Sequence, residues 1–142
     1  MEKVKLTREL RVLALAVLAG MAIGIGGVLY LTLENKVVGA LMFTVGLYAI
    51  CAHGLNLFTG KVGYLVNKPV SYLITLLEIW VGNLCGTYLA AFAVRQTRIK
   101  GISETAQAMC RIKMQDKLFS LFLLAIFCGF LMFIAVDGYR EV

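Results

Sequence analysis

Long stretches of this sequence contain no charged side chain. Asp, Glu, Lys and Arg make up only 15% of its 142 residues, while 61% are hydrophobic and the mean hydropathy is +0.86. A soluble domain is about 45–50% apolar and about 25% charged. The deficit is concentrated. No charge falls between Val12 and Leu33, between Ile79 and Val94, or between Leu118 and Val136, and from Val37 to Gly60 the sole titratable candidate is His53. Crossing a bilayer core takes about 20 mostly apolar residues. Four runs near that length exclude a soluble globular domain and predict an all-α membrane protein.

Other absences narrow the function. Cys51, Cys85, Cys110 and Cys128 include no C-x-x-C pair, and three of them lie inside the apolar runs, where cysteine acts as a small apolar filler. No disulfide, metal site or other cofactor is expected. There is no H-E-x-x-H, no Gly-x-Ser-x-Gly, no P-loop and no intramembrane carboxylate pair, so an enzyme is not expected. The net charge of +6 resides in segments flanking the apolar runs, with no basic stripe or base-stacking module, which argues against nucleic acid. The first run, at 22 residues, exceeds the roughly 7–15 of a signal-peptide core and has no small-residue cleavage site after it, so it reads as a retained helix.

The predicted organisation is one transmembrane domain over residues 1–142, with helices at about 12–33, 37–57, 71–94 and 118–136 and a break in the second at 58–60. Gly20 and Gly24 in the first span, and Gly82 and Gly86 in the third, have the four-residue spacing that lets membrane helices approach closely. Lys3, Lys5, Arg8 and Arg11 precede the first span and place the N-terminus in the cytoplasm. Three crossings then put the 95–117 connection outside, although it carries Arg95, Arg98, Lys100, Arg111, Lys113 and Lys117. Either the topology is weakly specified or this loop concentrates anions at a pore mouth. Within it, a short surface helix is expected from Ser103-Glu104-Thr105, with Ala106, Met109 and Ile112 as its apolar stripe. Glu78, near the start of the third span, is expected at headgroup level or paired with a base.

Two polar islands interrupt the apolar runs: Asn56-Leu57-Phe58-Thr59-Gly60 and Gly82-Asn83. Lipid offers no water to an unpaired N–H or C=O, so a broken helix survives there only against protein or a watery cavity. Such interruptions are the best sequence pointer to a transport site.

These motifs resemble those of the formate/nitrite transporter family. Asn56-Leu57-Phe58-Thr59-Gly60 is similar to the family's glutamate-Leu-Phe-Thr-Gly-Asn break. Gly82-Asn83-Leu84-Cys85-Gly86 is similar to its Gly-Asn-x-x-Gly, and Ala125-Ile126-Phe127-Cys128 to its Gly-Ile-Leu-Cys segment. The resemblance implies an aquaporin-like fold of six helices in two inverted repeats, here incomplete: the first repeat plus the fourth helix. It implies a homopentamer in the plasma membrane, with one pore per protomer for small monovalent anions such as formate, nitrite, hydrosulfide or short carboxylates. Phe43 and Leu47 then match constriction positions. Phe58 and Thr59 match the break, where the threonine offers donors to the anion. Lys113 matches an anion-attracting lysine, while Asn56, Gly60 and Asn83 support the motifs. His53 is not the counterpart of the family's pore histidine, which belongs to a fifth helix. Asn56 stands where the motif has glutamate, Lys61 where it has asparagine, and Gly129 where the fourth helix usually has asparagine. A non-transporting assembly partner, a fragment of such a transporter and an unrelated four-helix scaffold remain as alternatives.

Overall fold

A computed structural model describes residues 2–99 and 101–140 of the chain; Lys100 lies outside the described residues. Side chains are described from Leu6 to Tyr139 apart from residue 100. The elements are α1 (Glu2–Thr32), α2 (Lys36–Ala52), α3 (Phe58–Lys61) continuing into a 3-10 turn (Val62–Asn67), α4 (Tyr72–Arg95), α5 (Ile102–Gln115) and α6 (Leu118–Arg140). No strand occurs among the described residues. Among the described residues, three stretches are long and apolar enough to cross a membrane: Leu6–Thr32, Tyr72–Arg95 and Leu118–Tyr139. The second span does not reach that length in one piece, because α2 is 17 residues, about 25 Å at 1.5 Å per residue.

Glycine sets the helix packing. Without a hydrophobic drive between helices in lipid, close backbone approach through small residues supplies the contact. Gly82 faces Leu13 and Ala16, Gly86 faces Val17 and Met21, and Gly24 faces Thr87 and Ala90. Residue numbers climb together along both helices, so α1 and α4 run parallel. A methyl group on Gly82 would stand 2.6 Å from the Ala16 Cβ, and one on Gly24 2.7 Å from the Ala90 Cβ. Against α2 the order reverses: Gly46 meets Ala22, Phe43 meets Gly26, and Gly39 meets Tyr30. The second helix is therefore antiparallel to the first. Asn35 starts it by accepting from the amides of Val37 and Val38 at 3.0 and 3.2 Å, satisfying two of the donors a helix start leaves open.

The fourth span returns toward the side on which α1 begins. Near its C-terminal end Val136 lies against Gly60 and Phe133 against Gly63. There the Tyr64 hydroxyl donates to the Asp137 carboxylate, and the Tyr64 and Phe133 rings meet edge to face at 5.3 Å. At the opposite end, Ile99, Gly101, Ile102 and Thr105 surround a hollow with Leu31 and Thr32. The basic 95–117 segment thus sits at the far end of the bundle from the start of α1. The surface helix expected there forms as α5. Ala106 and Met109 are half-buried, whereas Ile112 is 70% exposed. The stripe predicted from spacing is therefore only partly covered.

Candidate functional site

The second span breaks earlier than its sequence suggests. A break at 58–60 is expected from the Thr-Gly pair, but α2 ends at Ala52, and Phe58 to Lys61 are wound again. The stop lies at Gly54, whose φ of +61° is left-handed backbone that suits glycine. The Gly54 amide donates to the Cys51 carbonyl at 3.2 Å and the Leu55 amide to the Ile50 carbonyl at 2.9 Å. This pair of reversed bonds closes a helix C-terminus on a glycine and supplies donors to carbonyls left open there. Leu55 and the buried Leu57 then pack into the cluster of Ala19 and Ile50, which fixes the exit path. Gly60 acts differently from a break residue. Inside α3 its missing side chain leaves room for Val136, whose nearest atom would be 2.8 Å from an added Cβ.

Two asparagines hold the unwound stretch against α1. Asn56, 9% exposed, donates its backbone N–H to the Leu15 carbonyl at 3.3 Å and its Nδ2 to the Val12 carbonyl at 3.2 Å. Asn83 reaches over from α4. Its Nδ2 donates to the Ala16 carbonyl at 2.8 Å and to the Asn56 carbonyl at 2.9 Å, while its Oδ1 accepts from the Phe58 N–H at 2.8 Å. The amide orientation follows from its partners, since two carbonyls require the NH2 and one N–H requires the oxygen. A helix start leaves its first N–H groups without intrahelical acceptors, and Asn83 takes the first of them. Thr87, one turn on, donates its hydroxyl to the Asn83 carbonyl at 2.8 Å and the Gly20 carbonyl at 3.3 Å.

An asparagine at position 56 has a local reason. A glutamate there would have no N–H to offer the Val12 carbonyl and would set a carboxylate beside a carbonyl oxygen. Val12 to Ala16 are the opening residues of the charge-free run, within about 6 Å of its start at 1.5 Å per residue. The break therefore sits just inside the apolar thickness, near the edge on the side where α1 begins, and its polar groups are met by protein.

One group is not met. The Thr59 hydroxyl is buried and has no hydrogen-bond partner among the described residues. A buried hydroxyl without a partner costs about 1–3 kcal/mol, and this one lies directly after the clamp. The other expected site residues stand at different levels of the bundle. Phe58 is half-buried beside Thr59. Leu47 packs on the Ala19–Ile50–Leu57 cluster, and the Phe43 ring lies against Gly26 of α1. Lys113 is not brought to the break. It is exposed in the last turn of α5, just before Leu118, and Leu118 is 18 residues, about 27 Å of helix, from the Val136 that touches Gly60. Sequence reading missed Gly54, for which a glycine followed by leucine at the end of an apolar run was the available signal. It also missed Val12, Leu15 and Ala16, which act through backbone carbonyls and carry no side-chain signature.

Comparison with known proteins agrees with this architecture. A family model described as formate/nitrite transporter matches residues 1–138. A solved structure described as a pentameric formate channel with formate bound is similar at a TM-score of 0.83 and 28% identity, over 96% of this chain and 62% of that one. The chain thus spans about three-fifths of that channel's length. A search of curated proteins returned no match.

Proposed function

Because the chain belongs to the formate/nitrite transporter family, we propose that it forms part of a membrane passage for small monovalent anions of the formate and nitrite type. The observation that carries this reading is the buried, unpartnered Thr59 hydroxyl beside a helix break inside the apolar thickness. An anion leaving water needs donors at depth, but few enough that it departs again. Thr59 supplies one. The opening amides of α3 that follow the Phe58–Asn83 bond supply others, since a helix start leaves such groups without internal acceptors. Phe58, Leu47 and Phe43 bound the route with apolar surface that excludes bulk water and larger solutes. Lys113 and its basic neighbours raise the local concentration of anions at the distant mouth. The chain resides in the plasma membrane with its N-terminus in the cytoplasm, supported by the basic residues before α1. It works as a homo-oligomer, by analogy with the pentameric channel it resembles.

The test is uptake of formate, nitrite and hydrosulfide by proteoliposomes containing the intact chain. Thr59→Val is expected to lower uptake about tenfold, the worth of one hydrogen bond of roughly 1.4 kcal/mol, whereas Thr59→Ser retains it. Saturable uptake unchanged by Thr59→Val would refute the role of the hydroxyl. Absence of all uptake, with copurification of a longer relative, would favour an assembly partner instead.

A further inference from the structure

A second polar site lies on the side where α1 begins, away from the break. There the first turns of α1 and α4 and the turn at 68–71 enclose a cleft of about 570 Å³. Four charged side chains line it: Arg8 and Glu9 from α1, Lys68 from the turn, and Glu78 from α4. Glu78 is half-buried within a spanning helix, six residues from its start. No hydrogen bond or ion pair engages its carboxylate among the described residues. An ionisable group in a spanning segment is expensive and as a rule has a partner.

Helix register gives the depth. Gly82 faces Leu13 and Ala16, and α1 and α4 are parallel. Glu78, one turn earlier, is therefore level with residues 9 to 12 of α1, where the charge-free run begins. That level is the boundary between headgroups and hydrocarbon. A purely anionic ligand would meet Glu9 and Glu78, and a purely cationic one Arg8 and Lys68. The lining suits a group that carries both charges.

We propose that this cleft binds an aminophospholipid through its phosphoethanolamine headgroup. The primary ammonium donates to the Glu78 carboxylate. The phosphate accepts from Arg8 and Lys68 in charge-assisted bonds, with the Ser71 and Thr75 hydroxyls at the same wall. Pro69 and Tyr72 complete the lining with Val12 and Ile74, the last two offering apolar surface for the first acyl carbons. The carboxylate selects the headgroup: a choline ammonium has no N–H to give it, and a glycerol headgroup has no positive charge. This site rests on membrane insertion alone and not on anion passage.

The experiment is native mass spectrometry of the full chain in detergent, titrated with phosphatidylethanolamine, phosphatidylcholine and phosphatidylglycerol of matched acyl chains. Phosphatidylethanolamine is expected to be retained about tenfold better than the other two, the effect of one charge-assisted hydrogen bond. Glu78→Gln, nearly isosteric, should abolish that preference, and the exposed-site variants Arg8→Gln and Lys68→Gln should weaken retention of all three lipids. Equal retention of the three lipids, or a preference that survives Glu78→Gln, overturns the proposal. So does efficient disulfide cross-linking of Ser71→Cys to a second copy in bilayers, which would mean that a neighbouring chain fills the cleft.

Discussion

Replacing Asn83 by alanine tests how the break is held. The side chain makes three hydrogen bonds, to the Phe58 N–H and to the Asn56 and Ala16 carbonyls. The Ala16 carbonyl keeps its bond within α1, so the substitution orphans the other two groups. Hydrogen bonds in membrane interiors average about 0.6 kcal/mol and reach about 1.7. Two orphaned groups therefore cost about 1–3.5 kcal/mol. If water reached the unwound stretch freely, it would replace both partners and the cost would be far lower. Hydrogen exchange of the Phe58 amide in the detergent-solubilised chain reads this directly. At about 1.4 kcal/mol per tenfold, protection should fall by a factor of about five to a few hundred. Thr87→Ala is the control, because the carbonyls it releases keep their helical donors, and it should leave Phe58 protected. Unchanged Phe58 protection in Asn83→Ala would show that α3 is started by something other than this amide.

Further outcomes follow from the same geometry. Gly86→Ala drives a methyl group into the Val17 carbonyl and to 2.8 Å from the Met21 nitrogen; thermal unfolding in detergent should show a loss of about 1–3 kcal/mol, typical of overpacking. Gly27→Ala meets nothing within 4 Å and should be neutral or stabilising by up to about 1 kcal/mol in the same assay. Thr59→Val should leave stability unchanged or raise it, since it removes a buried hydroxyl that has no partner; this is the opposite sign to its expected effect on uptake. Tyr64→Phe deletes the donor to Asp137 but keeps the ring against Phe133, and should cost about 1–3 kcal/mol, seen as earlier exposure of α6 in hydrogen exchange.

The candidate site was only partly legible. Thr59 and Asn83 stand out because polar residues inside apolar runs are costly in lipid and so signal a purpose. Even so, the pair Thr59-Gly60 misleads about where winding stops. Glycine ends a helix only if its backbone turns left-handed, and whether it does depends on what the next residues can reach. At Gly54 the next residues, Leu55 and Leu57, reach the cluster of Ala19 and Ile50. At Gly60 the neighbour is Val136, and the glycine serves close packing instead. Leu47 and Lys113 illustrate the same limit. One is half-buried against the Ala19–Ile50–Leu57 cluster and the other sits about a bilayer's depth from the break, and no local pattern records either placement.

Composition and periodicity alone determined that this chain is helical, lies in a membrane and carries a polar interruption in its second span. Those features follow from transfer energies that each segment incurs independently of the rest. The position of the interruption, the carbonyls of α1 that receive it and the side chain from α4 that clamps it were decided by tertiary structure. Each depends on groups more than 25 residues apart in sequence meeting at hydrogen-bond distance, and that meeting is set by how closely glycine-bearing helices approach.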